Sequence, residues 1–272
     1  MDQARTLAVV IPACNEETTL GSVLRHVDAL PCVKEIIVVD DGSLDRTAAV
    51  AAACLSPRVR LLRQSRHLGK AAAVRLGVRQ VTSPITIIQD AALAYDPREI
   101  PFVIEPILAG RADVVYGSRL LARGAACVTS SSLSHGLANK ALTLVAGLLA
   151  NSRRSDVGSS CTAFRTPILQ RMPIASRGCG LAVEIAATIS KTRARTCEVP
   201  IACDGRSFQE ARKFGLEDWL ATLWSILFYN ALAAVGPRRR AGIRAIDEWL
   251  SSVRPAAPQP AIATLAVPAA GK

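Results

Sequence analysis

The stretch Ile85 to Pro97, ITIIQDAALAYDP, decides how this chain folds. Four apolar or β-branched residues run into Gln89-Asp90, and Tyr95-Asp96-Pro97 begins a new element. Such a run reads as a buried strand, Ile85 to Gln89, that delivers Asp90 to the carboxyl edge of a sheet, where open α/β sheets bind ligands. The residues beyond the acid are small and apolar: Ala91, Ala92 and, two places further, Ala94.

The same rhythm extends to both sides. Leu7 to Ile11, closed by Pro12, Glu35 to Val39, Val59 to Leu62 and Asp113 to Tyr116 read as further strands. The segments Glu16 to Leu30, Leu44 to Cys54, Gly69 to Val81 and Pro97 to Ala109 read as the helices between them, the second capped by Ser43 or Asp45. Strands alternating with helices of this length predict an α/β, Rossmann-like, mostly parallel doubly wound sheet with flanking helices. After Gly117-Ser118-Arg119 the rhythm changes. A small-residue loop (120–134), an apolar helix (135–150), extended pieces at 158–164 and 195–201 around a helix at 181–191, and a basic loop at 204–215 follow. We read residues 1–215 as the main domain, 216–253 as amphipathic, membrane-proximal helices, and the Pro/Ala-rich segment 254–272 as a disordered tail.

Composition narrows the class. At 272 residues, half of them hydrophobic, the chain supports a full α/β core. The 33 basic against 22 acidic residues, a formal charge of +11, favour anionic partners. Aromatics are 4% of the chain and interleave with no basic stripe, which argues against nucleic acid. Eight cysteines are scattered without a CxxC pair, as expected of reduced thiols in a cytosolic protein rather than of a zinc site or disulfide framework. The apolar run near the N-terminus is cut by Asn15-Glu16-Glu17, too early for a signal peptide.

Polar clusters follow the apolar runs. VVIPACNEE (9–17) and VVDDGSLDRT (38–47) each place carboxylates at one sheet edge, where Glu16 and Asp41 can accept from base N–H or ribose hydroxyl groups. Asp40, Gly42 and Asp45 serve equally well as turn and cap residues. The segment Arg66-His67-Leu68-Gly69-Lys70 imitates the end of a phosphate loop. Gln64 stands where that loop needs glycine and Ala71 where it needs Ser or Thr, so the motif is rejected. No GxGxxG follows the first strand. Trp219 to Val235 is 17 residues long, short of the roughly 20 needed to span a bilayer. With Arg212-Lys213 and Arg238-Arg239-Arg240 beside it, it suits an interfacial helix on anionic headgroups, while a buried core helix is the alternative.

Taken together, VVIPACNEE, VVDDGSLDRT, RHLGKAAAVRLG, IIQDAALAYDP, VVYGSR, SDVGSSCTAFR (155–165) and GRSFQEARK (205–213) resemble family 2 glycosyltransferases of the GT-A fold, and among them the dolichol- or polyprenyl-phosphate sugar synthases. The resemblance implies transfer of a sugar, mannose or glucose, from a GDP- or UDP-sugar donor to a polyprenyl or dolichyl phosphate by a peripheral protein at the cytoplasmic membrane face. Carried over by position, Pro12, Cys14, Glu16, Val39 and Asp41 would hold base and ribose. Asp90, with Ala91 and Ala92, would lie beside the diphosphate, and Asp90 would carry Mg²⁺ or Mn²⁺. Arg119 would meet phosphate as the second catalytic group, and Arg206, Arg212 and Lys213 would close over the diphosphate. The family commonly reads DAD where this chain reads Asp90-Ala91-Ala92, so the implied metal site has lost a carboxylate; Asp96 is its substitute or a helix cap. Two other expectations follow: a degenerate scaffold that binds nucleotide-sugar or lipid without turnover, or an active transferase with a soluble acceptor.

Overall fold

The computed structural model describes residues 6–92, 95–118, 121, 161–176, 180–201, 223–232 and 236–254. Seven strands form one sheet: β1 (Leu7–Ala13), β2 (Val33–Asp40), β3 (Val59–Arg63), β4 (Ile85–Ile88), β5 (Val114–Ser118), β6 (Thr162–Arg165) and β7 (Thr196–Pro200), in the order β3-β2-β1-β4-β6-β5-β7. All neighbours are parallel except β6, which runs antiparallel between β4 and β5. The helices are α1 (Leu20–Asp28), α2 (Thr47–Ala52), α3 (Lys70–Val78), α4 (Ile100–Leu108), α5 (Thr166–Arg171), α6 (Leu181–Ile189) and α7 (Pro237–Val253).

Alternate side chains of each strand enter opposite layers. Leu7, Val9, Ile11, Ile36, Val38 and Ile87 pack with α1 and α4. Ala8, Val10, Ile37, Val39, Ile88 and Phe164 pack with Val74, Val78, Leu181, Ile246 and Leu250 from α3, α6 and α7. A sheet covered on both faces needs strands that are apolar at nearly every position, which is why these runs were readable in the sequence. Helix α3 comes closest to the sheet at Gly77, where an added Cβ would lie 2.7 Å from Val10 Cγ1 and 3.0 Å from Val39 Cγ2.

Several boundaries differ from the expected ones, for physical reasons. Strand β1 continues through Pro12 to Ala13 instead of closing at the proline. Its ladder with β4 ends at the Val10–Ile88 pair while its ladder with β2 goes on, so the missing N–H faces no partner strand. Helix α1 starts at Leu20, not Glu16, and α2 at Thr47, not Leu44. The residues ahead of them are held by loop contacts that compete with helix. Asp96 caps a 3₁₀ turn, Pro97–Glu99, by accepting from Arg98 N at 2.9 Å, and α4 follows. The expected extended piece at 158–164 is strand β6, beginning at Thr162, and α5 after it was not foreseen. Of the 219–235 segment, residues 223–227 are helical and Phe228–Leu232 forms a π-turn. No described helix is long and apolar enough to cross a membrane. The helix expected at 135–150, the loops at 120–134 and 204–215, and the tail lie almost wholly outside the described residues.

At the amino edge of β2, Glu35 ties the strand to the α3–β4 turn. Its Oε1 accepts from Thr82 N at 2.9 Å, Ser83 N at 2.7 Å and Ser83 Oγ at 2.7 Å. Burial alone would raise this carboxyl, but the Ser83 and Thr82 donors outweigh it and hold it below the ordinary range. A folded-state value below the unfolded one gives stability that is present above the unfolded pKa and lost as pH falls through the folded one. Glu35→Gln is therefore expected to cost about 1–3 kcal/mol in urea denaturation at neutral pH. The difference from wild type should shrink in acid; a cost independent of pH would show that the charge contributes nothing.

Candidate functional site

The strand order runs outward from β1 to β2 and β3, then returns to β4 on the other side of β1, so the crevice between the carboxyl ends of β1 and β4 is the topological switch point. Two loops are latched together there. Asn15 takes a left-handed backbone (φ 55°), and its backbone N–H donates to Ser43 Oγ at 3.0 Å while its Oδ1 accepts from Leu44 N at 2.9 Å. Glu16 N donates to Thr47 Oγ1 (2.7 Å), Glu17 N to Asp45 Oδ2 (3.1 Å), and Arg46 N to Glu17 Oε2 (3.0 Å). These bonds satisfy N–H groups that the start of a helix leaves without intrahelical partners, and they fix the two loops to each other. Asp45, an expected cap, does hold Thr47 N at 2.9 Å.

Asp40 and Asp41 end β2 with opposite duties. Asp40 is fully buried and closes its own turn, accepting from Ser43 N at 3.1 Å and facing Arg63 Nε at 3.3 Å. Asp41 is 2% exposed and reaches the next loop: Oδ1 accepts from Leu68 N and Oδ2 from Gly69 N, each at 2.8 Å. His67 Nδ1 stands 3.0 Å from Asp41 Oδ2 and 3.4 Å from Cys14 Sγ. Gly42, at φ 69°, lets the two loops touch; a Cβ there would lie 2.4 Å from the Arg66 carbonyl carbon. Burial, then the charges of Asp41, Asp40, Asp45 and Glu16, push the Cys14 thiol up, so this end of the crevice is negative in potential and Cys14 stays protonated.

The other end carries a cation. Lys70, the first residue of α3, places its ammonium on Asp90 Oδ1, just past β4. The Lys70 side chain is 33% exposed and that of Asp90 22%, so the pair borders the crevice. Gln89 is buried, its backbone N–H on Val10 O at 3.0 Å, and Ala91 is packed in the core. Burial, with Asp90 and Glu99 behind it, pushes the Cys161 thiol up to about 12, so it is inert packing under the site.

The structure thus gathers Cys14, Glu16, Asp41, Asp90 and Ala92 along one edge, but not all as ligands. Val39 has no exposed side chain; it is core against Gly77, and Pro12 is buried in β1. Asp41 is committed to the loop between β3 and α3. Glu16 is partly exposed, with Thr19 Oγ1 on its Oε2 at 2.6 Å. Arg119, Arg206, Arg212 and Lys213 lie outside the described residues. Lys70 was missed: the phosphate-loop motif was rejected, and its lysine was dismissed with it. The available signal was a lysine at the start of a helix that must pack on the sheet beside the strand carrying Asp90. Asp41→Ala should leave the buried Gly69 amide and the partly buried Leu68 amide unpaired, lowering stability by about 1–3 kcal/mol in urea and speeding amide exchange at both. Unchanged exchange at those amides would show that the carboxylate does not hold the loop.

The model of the family described as "Glycosyl transferase family 2" matches residues 8–168. Among relatives, an undecaprenyl-phosphate 4-deoxy-4-formamido-L-arabinose transferase of Pseudomonas aeruginosa is 31% identical over 214 residues, covering 76% of this chain and 60% of that protein. A dolichol-phosphate mannosyltransferase of Pyrococcus furiosus is 28% identical over 215 residues, covering 77% and 59%. The chain spans about three fifths of the length of these relatives. Among solved structures, glucosyl-3-phosphoglycerate synthase from Mycobacterium tuberculosis, in complex with Mn²⁺, UDP and glucosyl-3-phosphoglycerate, superposes with a TM-score of 0.63 at 22% identity, over 84% of this chain and 80% of that one. The likeness to that synthase shares the fold, with its mostly parallel sheet. With the family model covering more than half of the chain, this protein belongs to glycosyl transferase family 2.

Proposed function

We propose that this protein moves a hexose, mannose or glucose, from a GDP- or UDP-linked donor to a polyprenyl phosphate at the cytoplasmic membrane face. The observation that supports this reading best is the polarity of the crevice. Its β1–β2 end is negative in potential, from Asp41, Asp40, Asp45 and Glu16 around Cys14, and offers the partly exposed Glu16 as an acceptor, which suits the N–H and O–H donors of a base and ribose. Its β1–β4 end, with Lys70 on Asp90, suits a diphosphate. The named activities of the polyprenyl-phosphate relatives agree with it.

In this reading Glu16 accepts from the nucleoside, and Asp41 acts indirectly, by fixing the loop that carries His67 and Lys70. Asp90 orients the charge around the diphosphate, and Arg119, Arg206, Arg212 and Lys213 add cationic donors toward phosphate. An acceptor phosphate is ionised at neutral pH, so its oxygen attacks the anomeric carbon without a general base. The bond to the diphosphate breaks, and its electron pair leaves on the phosphate oxygen. A divalent cation would supply Lewis-acid stabilisation of that oxygen. The described donors fit one poorly: Asp90 already carries an ammonium, Ala92 stands where a second carboxylate would, Asp96 caps the turn at Pro97–Glu99, and no cluster of three His, Cys, Asp or Glu exists among the described residues. No step is routed through a metal.

Membrane contact is part of the proposal. In the described piece of the 219–235 segment, Ile226 and Tyr229 face inward while Trp224, Leu227 and Phe228 are exposed on one side. With Arg238 and Arg240 following, this face suits the headgroup region of an anionic bilayer.

The test is transfer from radiolabelled GDP-mannose or UDP-glucose into an organic-extractable polyprenyl-phosphate sugar. Wild type should form the lipid product, and Asp90→Asn should lose at least about a hundredfold in rate, typical for a charged group at the reacting centre, with its circular dichroism unchanged. Product on a water-soluble phosphorylated acceptor alone would replace the lipid acceptor. Donor binding without turnover on either would replace the enzyme with a binding scaffold.

A further inference from the structure

The Lys70–Asp90 pair is held in place by the fold. Gly69 caps α3 with φ 91°, Asp41 fixes the Leu68 and Gly69 amides, and Gly77 seats the helix on β1 and β2. The pair is partly buried, its side chains 33% and 22% exposed, and an ion pair taken out of water is weak evidence for stability. Its position at the switch point is better accounted for by what it meets. A carboxylate with an ammonium on it is neutral overall; the amino end of α3 beside it is capped by the Asp41 carboxylate through the Leu68 and Gly69 amides, so Lys70 is the cationic donor the pair offers. Such a site favours an incoming anion over an incoming divalent cation. Ala92 removes the second carboxylate that such cations commonly take.

We infer that Lys70 takes the part of the metal: the donor's diphosphate binds on the Lys70 ammonium, Asp90 holds that ammonium in place, and donor binding is independent of divalent cations. An ammonium has three N–H donors, so its bond to Asp90 does not exhaust it. As the sugar–diphosphate bond breaks, the electron pair passes to the β-phosphate oxygen, which Lys70 stabilises by hydrogen bonding while keeping its proton. The new bond joins the acceptor oxygen to the anomeric carbon, so no further reactant is required. The inference rests on the nucleotide-sugar reading above.

Calorimetric titration of the full chain with UDP and with GDP tests it, each in EDTA and in excess Mn²⁺, on wild type, Lys70→Met and Lys70→Arg. Wild-type affinity for the preferred nucleotide should change by less than about threefold between EDTA and Mn²⁺, and Lys70→Met should weaken it at least about tenfold in EDTA. Lys70→Arg should retain most of the affinity, since the cation survives. In Lys70→Met, where Asp90 has lost its ammonium, Mn²⁺ should restore part of the binding. A wild type that binds only with Mn²⁺, or a folded Lys70→Met that binds as wild type does in EDTA, would overturn the inference while leaving the functional reading standing. Failure of a natively folded wild type to bind either nucleotide under either condition would overturn both.

Discussion

Both carboxylate oxygens of Asp41 are spent on backbone amides, those of Leu68 and Gly69, and the edge of this protein depends on that clamp. Without it the β3–α3 loop would have two donors to satisfy elsewhere, of which the buried Gly69 amide alone costs about 1–3 kcal/mol unpaired. With it, the loop abuts Gly42 closely enough to exclude any side chain there, His67 is held beside Cys14, and α3 begins where its first side chain meets Asp90. One buried acid thereby couples the end of β2 to the start of α3 and to the residue that follows β4.

The result is a crevice with a charge gradient. The acidic end is a by-product of closing two strand–helix loops with side-chain caps, since Asp40 and Asp45 each serve their own turn. The other end is local and specific: among the described residues, Lys70 sets its ammonium on Asp90. A nucleoside diphosphate has the matching gradient, hydrogen-bond donors at one end and negative charge at the other. That match, rather than any one residue, is what joins the fold shared with family 2 to the activity proposed here.

The strands were legible because a sheet buried on both faces demands unbroken apolar runs, and Leu7 to Ile11, Glu35 to Val39 and Ile85 to Gln89 show little else. The helix starts were not. Glu16 to Thr19 and Leu44 to Arg46 look helical by pattern, but the amides of Glu16, Glu17, Leu44 and Arg46 are held by partners some 30 residues away, which no local rule can see. Strand β6 was readable as extended, but its antiparallel insertion between β4 and β5 is a tertiary fact. At the site, the sequence identified Asp90 and the acid-rich loops. It could not tell that Asp41 spends its charge on backbone or that Val39 is core, because a carboxylate after a strand and an apolar residue within one look the same in either role. Lys70 went unseen for the opposite reason: it was judged against a motif it fails, rather than by where α3 must begin.

The most direct measurement is a crystal structure with the bound nucleoside diphosphate that the titrations select. The account predicts the diphosphate within hydrogen-bond distance of Lys70 Nζ, between the carboxyl ends of β1 and β4, with the base beside Cys14 and Glu16 and the Asp41 clamp intact. A diphosphate seated away from Lys70, or a clamp that opens to give Asp41 to the ligand, would contradict it.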